Sequence, residues 1–148
     1  MEYLSTLDDK GRISLPARIR GSIVENTLIL TKGMDRSIWV FLAPEWEKFS
    51  QKLIDSASLP LNKQLVIQHR FIAPKAEIEI DKAGRIAIPQ SLRDFANLSR
   101  DCKILEVVNR FEIWDSAQYD AYVKANEEKL QDILEELGPV DLFSGTLD

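Results

Sequence analysis

The chain has 148 residues, of which 45% are hydrophobic and 29% charged, and its formal net charge is −5. This balance is typical of one globular domain, or of two small domains that share a core. A single cysteine, Cys102, excludes an intrachain disulfide and a CxxC motif, and the lack of a long apolar run or a signal-like segment predicts a cytoplasmic protein with no membrane partner.

The first part of the chain predicts four short strands and two helices. The strands span residues 3–7, 13–15, 27–31 and 37–41. Gly11 lies between the first two strands, where a tight turn needs a residue that accepts a positive φ. Pro16 suits the first turn of a short helix over residues 17–23, because its missing N–H has no helical partner there. A longer helix is expected to begin near Pro44.

The second part repeats this order after a connecting helix over residues 62–72. Its strands span residues 76–80, 86–88, 103–108 and 110–114, and its helices span residues 90–96 and 116–137. In the first of these strands apolar residues alternate with Glu77 and Glu79, so one face is expected to be buried. Gly138-Pro139 predicts the end of the last helix, followed by a loosely held tail.

One motif occurs in both parts of the chain. Residues 7–20 read LDDKGRISLPARIR and residues 80–93 read IDKAGRIAIPQSLR, at an offset of 73. The identical pairs are Asp8/Asp81, Gly11/Gly84, Arg12/Arg85, Ile13/Ile86, Pro16/Pro89 and Arg20/Arg93. The repeat indicates a duplicated unit that presents one surface twice. Each unit alone would leave strand edges open, so the sequence predicts an α+β fold in which two halves close into one barrel.

Charge is distributed unevenly along the chain. From Asp115 onward there are nine acidic residues and two lysines, a net charge of −7, which leaves +2 for residues 1–114. Each repeated motif also carries +2. The basic groups therefore lie on the repeats, and the acidic last helix is expected to lie away from any nucleic acid.

The chemistry of the repeated motif favours DNA recognition. An arginine such as Arg12 or Arg85 can donate two hydrogen bonds to O6 and N7 of guanine in the major groove. Asp8 and Asp81, four positions earlier across the turn, are predicted to orient these guanidinium groups. The side chains predicted to reach phosphates are Lys10, Arg18, Arg20, Lys82 and Arg93.

A structural interpretation of the same residues stays open. Asp8–Arg12 and Asp81–Arg85 could be ion pairs that only hold each turn together. Arg20 and Arg93, on short helices behind the strands, could be solvated or could pair subunits. The lysines differ between the repeats as well, since Lys10 is two residues after its aspartate and Lys82 follows directly, so the two turns need not present the same face.

Other kinds of site find little support in the sequence. The one histidine, His69, has no neighbours at metal-ligand spacing, which argues against a metal centre. No nucleophile–base pair or phosphate-binding glycine loop is present, so no catalytic residue and no cofactor is expected. Three tryptophans fall on apolar faces and are predicted to be core residues: Trp39, Trp46 and Trp114.

The chain resembles the MraZ family of bacterial transcription regulators, which are built from two AbrB-like halves. The motifs that carry the resemblance are Leu7-Asp8-x-Lys10-Gly11-Arg12, Leu15-Pro16-Ala17-Arg18-x-Arg20, Asp81-x-x-Gly84-Arg85-Ile86 and Asn109-Arg110-Phe111-Glu112-Ile113-Trp114-Asp115. The resemblance implies a swapped-hairpin β-barrel and ring-shaped homo-oligomers. It also implies binding to double-stranded DNA, at G-rich direct repeats upstream of the division and cell-wall gene cluster, and hence a nucleoid-associated protein.

On this basis we expect two AbrB-like halves, at residues 1–58 and 74–137, joined by a connecting helix at 59–73 and followed by a tail at 138–148. Two other functions remain open. A protein-interaction or assembly module would use the duplicated turns and open strand edges to bind protein. An AbrB-type antitoxin is the less favoured alternative, because the predicted C-terminal segment is helical rather than a disordered extension.

Overall fold

The fold is known from a computed structural model, which describes residues 1–55 and 58–137. The chain divides into two units, at Met1–Ser116 and from Ala117 onward, and the second unit is described as far as residue 137. The first holds eight strands: β1 (Glu2–Thr6), β2 (Arg12–Ser14), β3 (Thr27–Lys32), β4 (Ile38–Phe41), β5 (Ala76–Glu79), β6 (Arg85–Ala87), β7 (Asp101–Val107) and β8 (Arg110–Asp115). The helices are α1 (Ala17–Gly21), α2 (Ala43–Ile54), α3 (Leu61–Phe71), α4 (Gln90–Ala96), α5 (Ser116–Glu127) and α6 (Leu130–Glu135).

The two repeats exchange strands. Six strands form an antiparallel sheet in the order β1-β7-β8-β4-β3-β5, and β2 pairs with β6 in a separate two-stranded ribbon. In this arrangement β1 of the first repeat pairs with β7, and β5 of the second repeat pairs with β3. The predicted α+β class is confirmed, and the halves are interleaved rather than placed side by side.

The closed barrel expected from the sequence is not formed in the part of the chain that the structure describes. β1 and β5 are the edges of the six-stranded sheet. The ribbon pairs with the chain just after β1, through a single antiparallel bridge between Leu7 and Ile13. The physical reason lies in the ribbon. Pro16 and Pro89 follow its strands closely and have no N–H to donate, so three-residue strands cannot extend into ladders along both sheet edges.

The main core lies between the ribbon and the sheet. Ile13 and Ile86, which face each other in the ribbon, are both fully buried. They pack with inward residues of the sheet and of the short helices, including Leu28, Leu30, Ile38, Leu92, Ile104 and Ile113. Burial of each such side chain contributes about 1.5–3 kcal/mol, so the core fixes the position of the ribbon.

A second, aromatic cluster covers the outer face of β3 and β4. Phe41 stacks on Phe49 of α2 with ring centroids 5.0 Å apart, and Trp46 packs against Phe41 at 5.5 Å. Trp39 stacks on Phe71 of α3 at 5.8 Å. The prediction that the tryptophans are core residues is confirmed for Trp46 and Trp114, which are buried, while Trp39 is half-buried.

The prediction of a single helix over residues 116–137 is wrong. The helix begins at Ser116 as expected, but α5 ends at Glu127 and α6 begins at Leu130. The N–H of Lys129 donates to the carbonyl of Asn126 at 3.1 Å, a three-residue spacing that tightens and ends the helix. The predicted stop at Gly138-Pro139 and the predicted tail lie outside the described residues. No helix in the described ranges is long and apolar enough to cross a membrane.

Candidate nucleic-acid interface

The turn before β2 is built around the carboxylate of Asp8. Its Oδ1 accepts hydrogen bonds from the backbone N–H groups of Lys10 and Arg12, at 2.9 and 2.8 Å. Its Oδ2 accepts from Nε of Arg12 at 2.7 Å. The carboxylate thus fixes both the backbone of the turn and the plane of the guanidinium group.

The turn before β6 has the same geometry. Oδ1 of Asp81 accepts from the N–H groups of Ala83 and Arg85, at 2.9 and 2.8 Å, and Oδ2 accepts from Nε of Arg85 at 2.9 Å. The different lysine positions do not alter the turn, because the residue two places after the aspartate contributes only its backbone N–H. Lys10 and Lys82 are both exposed on these turns.

The two arginines lie on one face of the ribbon. Ile13 and Ile86 point into the core, so Arg12, opposite Ala87, and Arg85, opposite Ser14, point outward. Nη1 of Arg85 lies 4.0 Å from Oδ2 of Asp8, the atom that also holds Arg12. The ribbon therefore presents two oriented guanidinium groups, about one-third exposed, side by side.

Each turn glycine is covered by an arginine from the other repeat. Gly11 and Gly84 have φ of +75° and +78°. A Cβ added at Gly11 would lie 2.5 Å from Cζ of Arg93, and one at Gly84 would lie 2.7 Å from Cδ of Arg20. Glycine is thus required both by the backbone conformation and by the close arginine. These contacts between the two repeats were not predicted. The signal that could have indicated them is the glycine and the arginine that occur at the same spacing in both repeats.

We predict that Gly84→Ala destabilises the protein by about 1–2 kcal/mol from the left-handed backbone alone, with a further loss as Arg20 is displaced. The matched control is Gly21→Ala, because a Cβ at Gly21 has no heavy atom within 4 Å. That helical substitution should leave the free energy of unfolding unchanged or raise it by up to about 1 kcal/mol. Urea denaturation of the two variants checks this, and equal midpoints would contradict it.

Hydrogen bonds lower the pKa values of both turn aspartates. The backbone N–H of Arg12 and then its side chain hold the pKa of Asp8 below its ordinary value of 3.8, against the opposing effect of desolvation. Arg85 does the same for Asp81. Both carboxylates therefore stay ionised, and able to hold their arginines, through the physiological range.

This shift predicts a pH dependence of stability. Because the folded pKa of each aspartate is lowered, the stabilisation is fully present above the unfolded value near 3.8 and is lost as the pH falls through the folded pKa. NMR titration of the side-chain carboxyl carbons should give midpoints below 3.8 for Asp8 and Asp81. In an Asp8→Asn, Asp81→Asn variant, stability should fall less steeply with acid than in wild type. An unchanged pH profile would contradict this account.

The remaining predicted residue, Arg18, lies elsewhere. Its Nη1 contacts Sδ of Met1, at the end of β1 opposite Asp8. The structure thus brings together Asp8, Arg12, Asp81 and Arg85, with Lys10 and Lys82 beside them, and leaves Arg18 apart from this group. Nε of Arg93 donates to the carbonyl of Ile88 at 2.9 Å, so this side chain supports the ribbon of its own chain.

Comparison with known proteins covers both repeats. Residues 2–65 and 71–138 match the family model for the MraZ protein, which is described as antitoxin-like. The chain belongs to the MraZ family. The first matched MraZ segment contains β1 to β4 and the second contains β5 to β8. The ribbon is therefore made of one strand from each segment.

Named relatives agree with this assignment. The chain is 45% identical over 139 residues to the transcriptional regulator MraZ of Treponema denticola, covering 94% of this chain and 96% of that protein. It is 41% identical over 138 residues to the transcriptional regulator MraZ of Treponema pallidum, covering 88% of this chain and 93% of that protein.

Proposed function

We propose that this protein is a sequence-specific DNA-binding transcriptional regulator of the bacterial division and cell-wall gene cluster. In this proposal it acts in the cytoplasm, on the nucleoid, and binds G-rich direct repeats as a homo-oligomeric ring. The observation that carries the proposal is the pair of arginines, Arg12 and Arg85, held by aspartates on the outer face of one ribbon. The names of the relatives support the regulatory role.

The geometry of the ribbon suits the major groove, which admits a two-stranded β-ribbon. The Nε–H of each arginine is occupied by its aspartate, which leaves the Nη groups to donate to O6 and N7 of guanine. A guanidinium that is already oriented loses less conformational entropy on binding. Arg12 is the leading reader in this proposal, and Arg85 assists it or holds its own turn in shape.

Other basic residues supply affinity rather than sequence choice. Lys10 and Lys82 are exposed on the two turns and would contact phosphates. Arg18 belongs to the same proposal, at a more distant phosphate. The acidic groups beyond residue 115 lie in another part of the chain, so the net charge of −5 does not describe the ribbon.

Several features of the assembly belong to the proposal. The strand exchange between repeats supports the swapped-hairpin arrangement of two halves, which we place at residues 1–58 and 74–137 around a connecting segment at 59–73. One ribbon should bind weakly, whereas several ribbons in a ring would bind successive repeats with higher avidity. Repeats read from one side of the duplex recur about every 10–10.5 bp.

A salt-titrated binding assay tests this function. Wild-type protein should bind a duplex with in-phase G-rich repeats more tightly than a duplex of equal length in which those guanines are replaced. Affinity for both should fall steeply with salt, since phosphate contacts release counterions. Equal binding to the two duplexes would disprove the sequence-specific readout, and equal binding without a steep salt dependence would favour the alternative of a protein-interaction module.

A further inference from the structure

The two hairpins of the sheet end on opposite sides of the molecule's first unit. β4 and β8 are antiparallel neighbours, so the turn that leads into β4 and the turn that leads into β8 lie at opposite ends of the sheet. Lys32 pairs with Ile38 at the first turn, and Glu106 pairs with Phe111 at the second. Ile38 and Phe111 are equivalent at the offset of 73, and the residues that pair with them, Lys32 and Glu106, carry opposite charges.

The end of the sheet that carries Lys32 is basic, and the aromatic ring of Phe95 fills the space beneath its cations. The ring of Phe95 lies under three cations, with Lys32 Nζ at 5.3 Å and the guanidinium carbons of Arg36 and Arg70 at 5.2 and 4.8 Å from its centroid. Within residues 1–55 and 58–137, none of the three forms an ion pair with a carboxylate. Nη1 and Nη2 of Arg70 donate to the carbonyls of Lys32 and Gly33, at 3.1 and 2.6 Å. Met34 projects from the same turn, 54% exposed. The turn also carries the exposed Asp35, so the three cations and this carboxylate give the end a net charge of +2. We call Lys32, Met34, Arg36 and Arg70 the basic tip.

The other end is acidic and is open. Ser22 stands 73 positions before Phe95, so no aromatic ring fills the space, and a cavity of about 230 Å³ remains. We call this the acidic groove; the residues that matter in it are Ser22, Leu42, Glu45, Glu106, Val107 and Val108. An adjoining cavity of about 260 Å³ adds Val24 and Glu25.

Two observations show that the acidic groove lacks a partner. Oε2 of Glu106 is buried with no hydrogen-bond donor in the described part of the chain. Val108, which lines the first cavity, and Val24, which lines the adjoining one, are fully exposed. Arg110 also lines the cavity, but Glu112 holds its guanidinium group at 2.8 Å. Glu45 already forms an ion pair with the exposed Lys48 at 3.5 Å, so Glu106 is the carboxylate that most needs a partner. The groove thus offers apolar edges and a buried carboxylate that a basic, partly apolar group would satisfy.

We propose that the basic tip of one copy of this chain docks into the acidic groove of a second copy. The inference rests on the homo-oligomer of the proposed function and identifies its interface. The net positive tip would meet the carboxylates of Glu25 and Glu106, and Met34 would contact the exposed valines. Because tip and groove lie at opposite ends of one sheet, each copy binds one neighbour at each end. Such a head-to-tail interface generates a ring when the rotation closes.

The test uses two variants at exposed positions of the full-length chain. Arg36→Glu places a carboxylate on the tip, and Val108→Arg places a cation at the groove. Size-exclusion chromatography with light scattering should show an oligomer for wild type and monomers for each variant. An equimolar mixture of the two variants should form a dimer and nothing larger, because only one functional tip and one functional groove remain.

Controls separate this interface from general effects. Lys63→Glu, the same kind of charge reversal on α3, should keep the wild-type size, and Met34→Asp gives a second tip variant. Thermal melting verifies that each variant is folded. The proposal is overturned by a monomeric wild type, by wild-type size in either interface variant, by loss of the oligomer in Lys63→Glu, or by full-size oligomers in the mixture.

The same measurements distinguish this inference from the proposed function. A wild-type chain that forms a head-to-tail oligomer but ignores G-rich repeats would refute the DNA readout and leave the interface standing. A wild-type chain that reads those repeats as a monomer would support the readout and overturn the interface.

Discussion

Arg12→Ala is expected to abolish specific DNA binding while leaving the oligomer at its wild-type size. A bidentate arginine–guanine contact discriminates against the wrong base by about 1–3 kcal/mol, or about 5- to 150-fold per contact. Several subunits would each lose this contact, so the combined loss should remove detectable preference for G-rich repeats. Nonspecific, salt-sensitive binding should persist through the other cations.

Two control variants separate guanine readout from charge. Arg12→Lys keeps the charge but loses the planar pair of donors, so it should behave like the alanine variant in specificity. Lys10→Ala should weaken binding to all sequences about equally and reduce the salt slope by about 1 for each subunit that contacts the DNA. Competition binding with matched and guanine-replaced duplexes measures both quantities. Retention of wild-type preference by Arg12→Ala would disprove the proposed readout.

The largest effect on stability is expected from Ile13→Ala. Ile13 is fully buried opposite Ile86, where the ribbon meets the main core. Truncation of such a side chain costs about 2–5 kcal/mol, because apolar burial is lost and a cavity remains. Urea denaturation should therefore show a clear fall in the free energy of unfolding, a large part of the total stability of a domain of this size.

The matched control for Ile13→Ala is Val66→Ala, since Val66 is 67% exposed on α3 and belongs to neither the basic tip nor the acidic groove. It should change the free energy of unfolding by no more than about 0.5 kcal/mol. If both variants unfolded at the same urea concentration, the ribbon would not be anchored to the core in the way described.

Local patterns in the sequence predicted the elements of this fold well. Alternation of apolar and charged residues identified β5, and Pro89 with the helical pattern after it placed α4 at Gln90–Ala96. Such signals depend on neighbours within a few positions, so they are readable in one chain. The aspartate–arginine hydrogen bonds of the turns were foreseeable for the same reason, since four residues separate the partners.

Relations between distant segments were not foreseeable in the same way. Nothing in the pattern of β1 specifies that Leu4 pairs with Lys103, and the closed barrel was expected because open edges are unfavourable in isolation. The contact of Arg85 with Asp8 likewise requires the ribbon register. Arg18 shares the basic character of its neighbours, yet it contacts Met1 rather than the turns.

The strand exchange between repeats has a consequence for synthesis of the protein. β1 emerges from the ribosome first, yet its partner β7 is made about 100 residues later, and β2 must wait for β6. Contacts of such long sequence separation form slowly, and until then the nascent first repeat carries unpaired strand edges. A chain truncated before β6 would lack Arg85 and the partner strand of β2, so it could not present the surface that Arg12 and Arg85 form together.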